Sequence, residues 1–122
     1  MILDDIKSKL EEIDPLVFYG LADDKDENGD PIARWDYTVF RRKALSYSDS
    51  KKGYTDRFTV GIVRENYIPE GLDVAIIDKM CEIAGMRLAN PDSQYEYTQK
   101  PNTNTVVEVL TMEFVKARKR DA

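Results

Sequence analysis

The feature that most constrains the fold is the run of residues 105–115, which carries apolar side chains on both faces of a strand. Successive residues of a strand point to opposite sides. One apolar set is Val106, Leu110, Met112 and Phe114, and the other is Val107, Val109 and Val115. Such a strand needs cover on both sides. We expect helices on one side. The other side requires the second helix, the opposite hairpin or another subunit, and the pattern does not choose among these three.

Two hairpins are predicted. Residues 35–44 are rich in aromatic and β-branched types, and residues 57–65 alternate apolar and polar side chains, which is typical of paired antiparallel strands. Residues 94–100 and 105–115 flank a turn-like PNTN segment and form the second pair. The connection between the first two strands, SYSDSKKGYTD, is polar and long, and we expect it to be an exposed loop.

The first helix is indicated by apolar residues at steps of three and four. These residues are Ile2, Ile6, Leu10 and Ile13. Asp14-Pro15 ends the helix, because proline disfavours a helical conformation in the residue before it. The apolar run at residues 16–19, stopped by Gly20, predicts a brief strand.

The second helix follows Pro69, and Gly85 is placed as its carboxy-terminal cap. Its apolar stripe consists of Leu72, Ile76, Met80 and Ile83, widened by Ile77, Cys81 and Ala84. We therefore expect this helix to be more buried than the first. Cys81 is predicted to be a small buried apolar group and not a nucleophile.

Length and composition fit a single domain. The chain has 122 residues, of which 42% are apolar and 34% are charged, so a hydrophobic core of ordinary size is possible. The segments predict one α+β domain over residues 1–122. Its mainly antiparallel sheet has four to five strands with two helices packed against it, in the order α-β-β-β-α-β-β.

The net charge is −5, and residues 1–30 contain ten acidic and three basic side chains. This balance disfavours general binding to nucleic acid or to acidic membranes. Arg41-Arg42-Lys43 and residues 116–120 could contact phosphates, but basic residues at strand ends usually face water or a carboxylate. The sequence shows no signal-peptide pattern and no long apolar run, so we expect a soluble cytoplasmic protein with no membrane partner.

Composition also excludes several kinds of catalysis. The chain has no histidine, which removes Ser-His-Asp catalysis, Cys-His catalysis and imidazole metal sites. Acidic pairs such as Asp4-Asp5 and Glu11-Glu12 lie on segments expected to face water, whereas acid-base catalysis needs carboxyl groups with perturbed pKa values. We expect no enzymatic activity, no catalytic residues and no cofactor.

The segment DKDENGD at residues 24–30 resembles the first half of an EF-hand calcium loop. Its weak candidate ligands are Asp24, Asp26, Asn28 and Asp30. The match then fails, because Trp35 stands where the bidentate glutamate is required and the flanking segments read as strands. An acidic, solvated turn is the better interpretation, and no metal site is predicted.

Four longer segments carry a resemblance to a known family. They are VFYG at 17–20, WDYTVFRR at 35–42, GYTDRFTVGIVRENYIPEG at 53–71 and QYEYTQKPNTNTVVEV at 94–109. Together with the predicted order of elements, they resemble tail completion proteins of long-tailed bacteriophages and prophages. These segments are not catalytic motifs.

The resemblance implies a tail-terminator-like subunit of the virion. Such a protein assembles in the host cytoplasm as a ring, commonly hexameric, caps the tail tube protein and presents a surface to the head connector protein. DNA passes through the ring without sequence-specific binding. A head-closure or minor capsid connector protein is the nearest alternative, and a small ligand- or calcium-binding domain is the alternative from another class.

This interpretation assigns roles to three groups of residues. The candidates for the subunit interface are Val107, Val109 and Val115. The candidates for a loop that contacts the tail or connector are Tyr47, Asp49, Lys51, Lys52 and Tyr54. Acidic groups lining a ring would repel the DNA backbone, and the candidates for this lumen are Asp23, Asp24, Asp26, Glu27 and Asp30.

Overall fold

The computed structural model describes residues 2–21, 34–47, 53–89 and 93–119. Within them the chain forms helices α1 (Ile2–Glu11) and α2 (Leu72–Cys81). The strands are β1 (Val17–Tyr19), β2 (Tyr37–Tyr47), β3 (Gly53–Glu65), β4 (Met86–Leu88), β5 (Gln94–Gln99) and β6 (Val106–Lys119).

All six of these strands join one mixed sheet. Its order is β1-β2-β3-β6-β4, and β5 pairs with β6 along the same side as β4. β1 runs parallel to β2, and every other pairing among the described strands is antiparallel. The three long strands β2, β3 and β6 form most of the sheet. At one edge, β1 covers only part of β2, and at the other edge β4 and β5 both pair with β6.

The core lies between one face of the sheet and both helices. Ile6 and Leu10 of α1 and Ile76 and Met80 of α2 have no exposed surface. They pack against alternate residues of the three central strands, which are Phe40, Phe58, Val60, Ile62, Leu110, Met112 and Phe114. Full burial of one such aliphatic or aromatic side chain contributes about 1.5–3 kcal/mol. The prediction that Ile6 and Leu10 of α1 and Ile76 and Met80 of α2 belong to the core is therefore confirmed, and both helices lie on the same face of the sheet.

The opposite face carries the second apolar set of the final strand. Val107 is 0% exposed and Val115 is 3% exposed, and both lie outside the cluster that the helices cover. Val109 is half-buried. Because α2 packs on the other face, it is not the cover that this set requires.

The α+β class, the two helices and both antiparallel hairpins are confirmed, but the predicted strand count and order are wrong. The sheet has six strands, because β4 also pairs with β6. With three residues, β4 is too short to show a period of its own. The sheet is also mixed, since the long connection after β1 returns the chain in the parallel direction.

Two further expectations are corrected. Cys81 is exposed at the last position of α2, because the apolar stripe of that helix is narrower than predicted. The expected loop of residues 46–56 is mostly strand. Tyr47 pairs with Tyr54 in the hairpin of β2 and β3, so both belong to the sheet, and only residues 48–52 connect the two strands.

Candidate functional site: two opposed edges of the sheet

β2 extends well beyond the short strand beside it. β1 pairs only with Thr38, Val39 and Phe40, so the outer edge of β2 after Phe40 has no partner strand in the described part of the chain. The next side chains are exposed and mainly cationic. We call this surface the basic edge, and it consists of Arg41, Arg42, Lys43 and Leu45.

A β-bulge between Arg42 and Ala44 interrupts the register of β2 with β3. Lys43 of the basic edge forms an ion pair with Glu113 of β6, with Nζ 3.2 Å from Oε2. Arg57 of β3 binds the same carboxylate, with Nη1 3.3 Å from Glu113 Oε1. These two cations lower the pKa of the Glu113 carboxyl, the Lys43 hydrogen bond most of all. The side chain of Arg42 has no hydrogen bond or ion pair with any described residue, so its charge is available to a partner.

A cleft of about 310 Å³ opens beside the basic edge, between the start of α1 and the hairpin. Ile2, Leu45 and Phe58 give it an apolar wall, and Arg42 and Asp56 add charged groups. Leu45 is 57% exposed although it is a large aliphatic side chain. The cleft therefore offers an apolar site with a cation at its rim, which suits an aromatic or aliphatic side chain of a binding partner.

The other side of the sheet carries a surface of different chemistry. All six residues of β5 are exposed, and the outer side of β5 has no partner among the described strands. Large side chains are exposed to solvent here, Tyr97 with 64% and Val106 with 42% of the surface accessible. We call this surface the tyrosine edge, and it consists of Tyr95, Glu96, Tyr97, Val106 and the adjacent carboxylates of Asp73 and Glu108.

Carboxylates hold the two tyrosines of this edge in place. Tyr95 Oη donates a hydrogen bond to Asp73 Oδ2 of α2 at 3.0 Å, and this bond raises the pKa of the Tyr95 phenol. A hydrogen bond to Glu108 likewise raises the pKa of the Tyr97 phenol. Glu108 also accepts the backbone N–H of Ile68 at 2.8 Å. The tyrosine edge is thus an acidic and aromatic surface whose tyrosine side chains are fixed by hydrogen bonds to carboxylates.

The residues predicted for function fall into three groups. Tyr47 and Tyr54 are paired in the register of the hairpin, next to the basic edge. Val107 and Val115 expose almost no surface in the single chain, and only Val109 keeps part of its side chain accessible. The remaining candidates lie outside the described residues: Asp23, Asp24, Asp26, Glu27, Asn28, Asp30, Asp49, Lys51 and Lys52.

Sequence reasoning missed both edges as binding surfaces. It treated Arg41-Arg42-Lys43 as a solvated strand end and the tyrosines as part of a hairpin. The available signal was a cationic cluster on one predicted strand, Arg41-Arg42-Lys43, and a cluster of aromatic and acidic residues on another, at residues 95–97. Strand order is set by tertiary pairing, so the sequence could not place these clusters on opposite sides.

Other kinds of site find little support in the described residues. In that part of the chain no group of three or more cysteine, aspartate or glutamate side chains could hold a metal ion. Neither described helix has the length and apolar character needed to cross a membrane. Comparisons with protein families and with curated protein sequences find no match to this chain.

Proposed function

We propose that this protein is a tail-terminator-like structural subunit of a bacteriophage or prophage. It forms a ring, a hexamer when assembled, that caps the tail tube and joins it to the head connector. The four segments that resemble tail completion proteins support the proposal. The observation that carries it is that one sheet exposes two unlike edges on opposite sides.

Two different surfaces on opposite sides of a subunit favour head-to-tail assembly, and such an assembly closes into a ring when the rotation between neighbours allows it. On this proposal the protein works by shape and self-association. It assembles in the host cytoplasm and remains in the virion, where DNA passes through the ring. No bond is made or broken by its side chains.

The proposal is tested by mixing the purified protein with isolated tails and, separately, with DNA-filled heads, both prepared from a mutant virus that lacks this protein. We expect the protein to sediment with tails, and negative-stain images to show a ring at one tail end. Binding to heads and not to tails would favour the head-closure or minor capsid alternative. Absence of binding to either would contradict a role in the virion.

The segment between β2 and β3 is tested with one double variant and a control on another strand. Lys51→Glu with Lys52→Glu is expected to weaken capture of tails if these residues contact the tail or connector. Arg87→Glu, at an exposed position on β4, is the control and should leave capture unchanged. Equal loss in both variants would indicate a nonspecific effect of charge.

The calcium-binding alternative has its own measurement. Calorimetric titration with Ca²⁺ is expected to give no binding, because Trp35 replaces the bidentate glutamate of the loop pattern. Micromolar binding that is lost in Asp24→Asn would support a cation site instead.

A further inference from the structure

We infer that the basic edge of one copy docks on the tyrosine edge of the next copy. This inference rests on the proposed self-association of the chain and assigns its two contact surfaces. The sheet order places β2 near one side and β5 on the other, so a contact between them is heterologous. Each copy keeps one edge free to receive a further copy until the assembly closes.

Charge favours this pairing over contact between identical edges. The basic edge presents Arg41, Arg42 and Lys43, whereas the tyrosine edge presents the carboxylates of Asp73, Glu96 and Glu108. Two basic edges would repel each other, and so would two tyrosine edges. Complementary charge across an interface selects the partner surface and disfavours the wrong ones.

The apolar groups of the two edges also fit each other. Leu45 and Phe58 line the cleft of about 310 Å³ beside the basic edge, and Tyr97 projects from β5 with 64% of its surface exposed. The register places Leu45 opposite Asp56, two positions from the core residue Phe58 on the same face as the helices. Tyr97 pairs with Glu108, which is on that same face as Leu110. Tyrosine and arginine are enriched where interfaces contribute most binding energy.

The contact is made by side chains and is not a continuation of the sheet. The bulge between Arg42 and Ala44 breaks the regular spacing of backbone groups along the edge of β2. Bulges and charged residues at an edge prevent another strand from pairing there. A tyrosine inserted into the cleft, with Arg42 at its rim, does not need that backbone ladder.

Disulfide trapping tests the assigned surfaces. Cys81 is exposed, so all variants carry Cys81→Ser. Leu45→Cys combined with Tyr97→Cys, oxidised at high protein concentration, is expected to give a ladder of covalent oligomers that ends at the size of the ring. Leu45→Cys with Ser8→Cys, which lies on the exposed side of α1, is the control and should give only background dimers. A ladder of equal intensity in both pairs, or no ladder in the first, would overturn the inference.

A charge exchange gives a second test without new thiols. Arg41 pairs with Thr59 and Glu96 pairs with Val109, so both lie on the face away from the helices. Arg41→Glu and Glu96→Arg each place like charges at the contact, and we expect each to weaken self-association about tenfold or more at low salt. The double variant should recover most of the loss, as measured by sedimentation velocity. Neither side chain has an ion pair with a described residue, so folding should be unaffected. Equal association of all four proteins would contradict the inference.

The two proposals fail in different ways. Suppose that rings bind tails, but that the cysteine pair gives no ladder and the double charge variant does not recover self-association. The proposed function would then stand, and the assigned contact would be wrong. A specific ladder from a protein that binds neither tails nor heads would keep the contact and remove the function in the virion.

Discussion

Arg64 and the buried Asp14 form a largely buried ion pair, with Arg64 Nη2 2.8 Å from Asp14 Oδ2. Asp14 is 1% exposed, and the same oxygen accepts a hydrogen bond from Thr38 Oγ1 at 2.7 Å. Arg64 also donates to the backbone carbonyls of Tyr37 and Val63. The pair therefore ties Asp14, which lies three residues beyond the end of α1, to β2 and β3, and it fixes the position of the helix on the sheet.

Breaking this pair on one side should destabilise the fold strongly. Arg64→Met leaves the Asp14 carboxylate buried without its cation, and we expect a loss of about 3–5 kcal/mol in the free energy of unfolding. Urea denaturation at neutral pH measures it. Arg87→Met removes an exposed arginine and should change the free energy by less than about 0.5 kcal/mol. Similar small effects in both variants would show that the buried pair does not stabilise the fold.

The Thr38 hydroxyl has a separate and smaller role. Thr38→Val keeps the shape of a fully buried side chain but removes the donor to Asp14, and we expect a cost of about 1.5–3 kcal/mol for a hydrogen bond to a charged group. Thr98→Val, on the exposed β5, serves as the control and should be close to neutral. If thermal unfolding shifts equally in the two variants, the hydroxyl contributes nothing specific.

Stability should fall in acid partly through Glu65. The hydrogen bond from Lys100, with Nζ 2.7 Å from Glu65 Oε1, lowers the pKa of this carboxyl below its ordinary value of 4.5. The unfolded state then takes up the proton at a higher pH than the folded state does. The contribution is therefore present above pH 4.5 and is lost as the pH falls through the lower pKa of the folded state.

The variant Lys100→Met is expected to be less stable than the original protein at neutral pH, and this difference should shrink as the pH falls below 4.5. Urea denaturation of both proteins at several pH values measures this difference in the free energy of unfolding. In a Glu65→Gln background the same substitution should have a smaller pH-dependent effect. A difference that stays constant with pH would mean that Lys100 acts through packing, for example against the Trp35 ring 6.0 Å away.

The predicted acidic lumen can be examined in the virus. Replacing Asp23, Asp24, Asp26, Glu27 and Asp30 by their amides removes the repulsion that would keep a DNA backbone from adhering to the ring. We expect slower genome ejection, measured by DNA release from purified particles. Unchanged ejection and unchanged particle yield would eliminate this hypothesis.

Much of the fold follows from local sequence patterns, and the positions where these patterns predict burial wrongly have physical reasons. The alternation through Phe58, Val60 and Ile62 predicts a strand because side-chain direction in a strand depends only on position. Cys81 shows the limit of the same reasoning for helices. It lies four positions after the half-buried Ile77 and therefore on the same face of α2, yet it is exposed, because the width of a buried stripe depends on what packs against it.

The candidate site was less predictable than the fold. Composition pointed away from histidine chemistry, and the four segments led to the proposed ring subunit. The sequence contains Arg42, Leu45 and Tyr97, but no local pattern indicates that Leu45 lies beside a cleft or that Tyr97 lies on the opposite side of the sheet. Those relations depend on pairings between distant strands.

The sequence alone determined the two amphipathic helices, the two hairpins and a final strand with two apolar faces, because each depends on the spacing of neighbouring side chains. Only the tertiary structure decided that β1 is parallel to β2, that Asp14 meets Arg64, and that the basic and tyrosine edges are opposed. The physical reason is that long-range pairing and burial set these relations, and both arise only when segments far apart in the chain come together.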